Sequence, residues 1–106
     1  MIVTTAHTIP GKKIQKVYGL VRGNTIRARH IGNDIMAGLR NIVGGEVTEY
    51  TKLMAEAREE AVDRMTADAE SLGANAVVGM MFSTSMIMSG AAELLAYGTA
   101  VKVTDE

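Results

Sequence analysis

The chain has 106 residues, the length of one domain, with eleven Lys and Arg against twelve Asp and Glu for a formal net charge of −1. That balance points to no charged partner, and the absence of cysteine excludes disulfides, zinc fingers, iron–sulfur ligation and thiol catalysis. No basic stretch leads into an apolar signal core, and no apolar run approaches the roughly 20 residues of a membrane span, so a cytoplasmic protein is expected.

Hydrophobic residues make up 47% of the sequence but aromatics only 4%, so Ala, Val, Ile, Leu and eight Met carry the apolar weight. A domain this short hides only part of such a surface, and association with copies of itself is the simplest cover for the rest. Charge is unevenly spread. Lys12, Lys13, Lys16, Arg22, Arg27, Arg29 and Arg40 face a single acid, Asp34, within residues 1–45, while the remainder is acidic. In an oligomer, one subunit's basic segment can meet its neighbour's acidic one.

Residues 2–5 are β-branched and predict a short strand, and Ile9-Pro10-Gly11 predicts a turn. Lys13 to Ile26 predicts a second strand, with a bulge or close approach at Gly19 and an end or bend at Gly23-Asn24. Across 31–45, Ile31, Ile35, Met36, Leu39, Ile42 and Val43 recur at helical spacing before Gly44-Gly45, which predicts a short helix.

From Thr48 to Leu72 the pattern is strongest. Tyr50, Leu53, Met54, Ala57, Ala61, Met65, Ala69 and Leu72 form an apolar stripe, with acids largely on the opposite side. Thr48 serves as the expected N-cap and Gly73 as the stop, and the alanines of the stripe would let this helix lie close against a sheet. Ala76 to Met88 and Leu94 to Val103 predict two more strands, joined through Ser89-Gly90-Ala91 as an antiparallel hairpin. In the last strand Leu95, Tyr97, Thr99, Val101 and Val103 share one face, leaving Ala96, Gly98 and Ala100 as a small-residue face. The expected architecture is α+β in two layers: one long helix packed on an antiparallel sheet.

No constellation nominates a general acid, base or nucleophile. His30 with Asp34 four residues on offers an imidazole–carboxylate pair suited to a metal, a site a neighbouring subunit would have to complete. His7 is read as a surface or loop residue. Arg22, Arg29, His30 and Asp34 together form the polar set on which a small anion or an intersubunit active site would depend. Met80, Met81, Met86 and Met88 around Phe82 read as gap-filling side chains of a core or interface before they read as copper ligands. The pI near 6.1 and the scarcity of aromatics argue against nucleic acid.

Gly19-Leu20-Val21-Arg22-Gly23, the run from Asn33-Asp34-Ile35 through Gly38 to Glu46, Glu49-Tyr50-Thr51, Leu72 to Gly79 and Ala96 to Val101 form a set spanning nearly the whole chain. That set resembles the YbjQ-like family, small bacterial and archaeal proteins carrying the label "putative heavy-metal-binding". The resemblance implies a dodecin-like α+β subunit, a pentameric ring and a divalent metal ion as the cofactor to look for. The resulting expectation is a non-enzymatic, ring-forming homo-oligomer holding a metal ion or small anion between subunits. The alternatives are an enzyme whose site forms only between subunits and a purely structural assembly.

Overall fold

A computed structural model of the chain describes residues 1–27, 47–88 and 91–106. These form β1 (Ile2–Val3), β2 (Lys12–Arg27), α1 (Val47–Ser71), β3 (Ala76–Met88) and β4 (Ala91–Asp105). The strands lie in one four-stranded sheet in the order β1-β3-β4-β2, with α1 packed on one face. The α+β, helix-on-sheet expectation holds. The short helix expected over 31–45 lies outside the described residues, as do Ser89 and Gly90 of the hairpin turn.

A wholly antiparallel sheet does not hold. β1 runs parallel to β3, with Ile2 opposite Ala76 and Val3 opposite Val77, so the sheet is mixed. The reason lies in the path between the first two strands. β2 and β3 are both antiparallel to β4, so β1 and β2 run in the same direction from opposite edges of the sheet. The connecting segment crosses the sheet on the face away from the helix, where Ile9 packs with Ala76, Val78, Val101 and Val103. β1 is also shorter than the expected 2–5, although Thr4 and Ala6 still bond to the outer side of β3. Thr4 donates to the Val77 carbonyl (3.0 Å), and Met80 and Gly79 donate to the carbonyls of Thr4 (3.0 Å) and Ala6 (2.9 Å).

The helix runs Val47–Ser71, one residue displaced from expectation at each end, so Thr48 falls inside its first turn and not at the cap. Its end follows the sequence signal. Gly73 adopts φ +92°, its N–H donates to the Glu70 carbonyl, and Ala74 donates to Ala69, the paired closure that left-handed glycine permits. Ala57, Ala61, Met65 and Ala69, four residues apart, are fully buried. Leu72 is a correction: it lies past the last helical residue and is 46% exposed, having left the stripe where the helix stops.

Against this stripe the sheet presents Val21 of β2, Val77 and Met80 of β3, and Ala96 and Ala100 of β4. The small-residue face of β4 therefore faces the helix. Gly19 does mark an irregularity, with φ +110° and a register shift between Val17 and Gly19. Gly23-Asn24 does not end β2, which pairs with β4 in unbroken register from Leu20 to Arg27. At Gly23 the strand meets the helix backbone, where an added Cβ would overlap Ala61 O and Met65 N and lie 2.7 Å from Arg64 Cβ. The glycine is there for close approach.

Candidate functional site

Of the polar set Arg22, Arg29, His30 and Asp34, the structure places Arg22 alone; Arg29, His30 and Asp34 lie outside the described residues. Arg22 is exposed on β2, opposite Tyr97 of β4, and its backbone N–H donates to Asp68 Oδ2 of α1 at 3.4 Å. His7 lies over the β3 bulge, its Nδ1 3.2 Å from where a Cβ on Gly79 would stand. Among the described residues no three His, Asp or Glu side chains gather closely enough to hold a metal ion. Those residues of a single chain do not fit a heavy-metal centre.

The Met cluster divides. Met80 is buried against the helix, while Met81 and Met86 are exposed. Phe82 pairs with Ala96 and Thr84 with Leu94, so both share the helix-side face, and Met81 pairs with Tyr97 on the other. That other face also carries Leu20 opposite Thr99 and Ile26 opposite Glu93, at 65% and 53% exposure. Among the described residues nothing covers the face there, because the crossing segment with Ile9 reaches only the Ala76–Val78 and Val101–Val103 end.

The two long outer strands differ at their edges. Arg64 of α1 donates from its guanidinium to the Asn24 carbonyl and also pairs with Glu60 one turn earlier. Asp68 takes the Arg22 N–H. Two helix side chains thus bond the Arg22 N–H and the Asn24 carbonyl on the outward side of β2, a partial closure of the kind that keeps an edge from recruiting another strand. No sequence pattern announces it, since Arg64 and Asp68 read as members of a solvated helix face.

The alternation set by those two bonds passes through the sheet. Arg22 and Asn24 turn outward, so Val21, Gly23 and Thr25 turn to β4 and meet Gly98, Ala96 and Leu94. Leu95 and Tyr97 then turn to β3 and meet Ser83 and Met81. The N–H and C=O groups of Phe82, Thr84 and Met86 consequently point out of the sheet. The N-terminal segment covers β3 only as far as Met80, so among the described residues these groups have no strand beside them. Lys12 hydrogen-bonds Asp105, joining the start of β2 to the end of β4, and holds that exposed carboxyl below the usual aspartate value.

A family model described as "Putative heavy-metal-binding" matches residues 1–104. The chain belongs to the YbjQ family. Relatives named UPF0145 protein match nearly the whole chain. One from Methanosarcina acetivorans is 61% identical over 103 residues, covering 97% of each chain. One from Archaeoglobus fulgidus is 55% identical, covering 97% of this chain and 95% of its own. One from Clostridioides difficile is 54% identical over all 106 residues of this chain. A crystal structure of a protein of unknown function from Pediococcus pentosaceus, 16% identical, superposes with a TM-score of 0.62 over 98% of both chains. That likeness shows the YbjQ chain's fold alone.

Proposed function

We propose that this chain is the subunit of a ring-forming homo-oligomer without catalysis of its own, which holds a metal ion or small anion between subunits. The observation that carries the self-assembly is exposed apolar surface: Leu20, Ile26, Met81, Phe82 and Met86 stand out on the sheet, the apolar character of a subunit contact.

The ligand reading rests on the family's description and on charge. No metal centre is complete within one chain's described residues, so a bound ion draws on more than one subunit or on Arg29, His30 and Asp34. The pentamer is the assembly that the family resemblance implies. Native mass spectrometry of untagged protein purified without chelators tests both parts. A five-subunit mass carrying a defined extra mass is expected. A bare ring would remove the ligand, and a monomer at working concentration would remove the assembly.

A further inference from the structure

The sheet continues past the C-terminal end of α1, and we propose that Lys13, Lys16 and Lys102 there bind a diphosphate group, free or carried on a small molecule. The three residues belong to one chain, so this site is separate from an intersubunit ligand and does not rest on the assembly. Ile14 and Val103, paired across β2 and β4, lie in the core away from the helix. Their neighbours therefore turn to the helix-bearing side, with Lys13 opposite Thr104 and Lys16 opposite Lys102. All three lysines are exposed. No carboxylate among the described residues pairs with any of them, and Asp105 turns to the opposite face, where Lys12 engages it.

Two β-bulges create this arrangement. A regular strand continuing from Ile14 would set Gln15 against Lys102 and turn Lys16 away from the helix. Instead Gln15 is left without a partner and Lys16 takes its place opposite Lys102. A second bulge leaves Tyr18 unpaired and, with Gly19 at φ +110°, restores the phase, so that Val21 still faces the helix. The net effect is to exchange Lys16 for Val17 on the helix side. Both halves of that exchange are locally unfavourable: like charges directly opposite repel, and Val17 is left 61% exposed on the far face. Bulges that re-aim a side chain in this way mark sites of function.

The lysines are not spent on capping the helix. The carbonyls of Asp68, Ala69 and Glu70 are taken by the Ser71 hydroxyl and by the N–H groups of Leu72, Gly73 and Ala74. Lys16 Nζ stands 4.9 Å from the centre of the Tyr18 ring, whose hydroxyl donates to the Gly73 carbonyl at 3.3 Å. Tyr18 thus positions Lys16 from the end of the helix. Lysine ammonium groups are compact point charges that engage phosphate oxygens without the planar match a carboxylate makes with arginine. A diphosphate carries enough charge to engage all three.

Pyrophosphate titrated into the full chain at low ionic strength, followed by amide chemical shifts, tests the assignment. Saturable shifts centred on Lys13, Lys16, Lys102 and Thr104 are expected. Lys16→Gln and Lys102→Gln are each expected to weaken binding roughly fivefold, the scale of one exposed ion pair. Each is also expected to raise the unfolding midpoint of the ligand-free chain by removing the repulsion, the opposite of what a structural role for these lysines gives. ADP distinguishes the sources: affinity equal to that of pyrophosphate assigns the diphosphate group alone, and tighter binding assigns a nucleotide. Absence of saturable binding, shifts centred elsewhere, or a lowered midpoint in both ligand-free variants overturns the proposal. So does tighter binding of a single-stranded oligonucleotide than of pyrophosphate, which would make nucleic acid the occupant. The shift mapping uses the parent protein and answers even if a variant does not fold. A monomer in native mass spectrometry removes the assembly and leaves this site standing.

Discussion

Gly23 illustrates how one residue controls the spacing of the two layers. Its missing side chain lets β2 touch the backbone of α1 between Ala61 and Met65, and no rotamer change relieves a Cβ placed there. Gly23→Ala is expected to cost about 1–3 kcal/mol or more in urea unfolding, the range of overpacked cores. Gly11→Ala is the contrasting case, because Gly11 has φ +77° with open space around it. There the cost is backbone strain alone, expected at about 1 kcal/mol. Asp105 provides a test of charge at the same scale. Its hydrogen bond and charge pairing with Lys12 lower its folded pKa below the ordinary aspartate value of 3.8. A lowered carboxylate contributes stability above its unfolded pKa and loses that contribution as pH falls through the folded one. NMR titration is therefore expected to show an acid midpoint below 3.8, moving back toward it in Lys12→Ala.

Among the elements, the helix depends on its four-residue ladder of Ala57, Ala61, Met65 and Ala69, in which Met65 is the one large side chain. Met65→Ala is expected to lose about 2–5 kcal/mol, read as a drop in the denaturation midpoint, since the small neighbours leave little that can collapse into the cavity. The hairpin of β3 and β4 is anchored at its open end by Asn75. Its side-chain amide donates to the Val103 carbonyl (2.9 Å) and accepts from the Val103 N–H (2.8 Å), continuing the ladder one step beyond the Ala76–Val101 pair. The helix stripe, its glycine stop and the alternation of β4 were legible because each depends on spacing and on neighbours a few residues apart. The length of β1 and the parallel pairing of β1 with β3 were not, because they depend on where a distant strand leaves room. The exposure of Leu72 turned on a single residue at the helix boundary, finer than periodicity resolves.

At the scale of the molecule, two small cores lie on either side of one sheet, and neither extends to the far end of the β3–β4 hairpin. Tyr97 lies on the side of the sheet away from the helix, half-buried between Arg22 and Met81 on the neighbouring strands. Tyr97→Asp is expected to place a charge in the subunit contact and break the oligomer into monomers, read by light scattering after gel filtration. An intact assembly would place the contact elsewhere. The candidate site was only partly legible. Arg22 could be named because basic residues crowd the first 45 positions, but its backbone partner Asp68 lies 46 residues away on another layer.

By itself, the sequence determined the class of the fold, the helix and its small-residue seam, the β3–β4 hairpin and the family, because local periodicity and composition encode these. The tertiary structure alone decided the strand order, the path under the sheet and which strand edge is closed. Closure depends on Arg64 and Asp68 reaching across to β2, a pairing in space between residues that look alike, as solvated helix charges, in the one-dimensional chain.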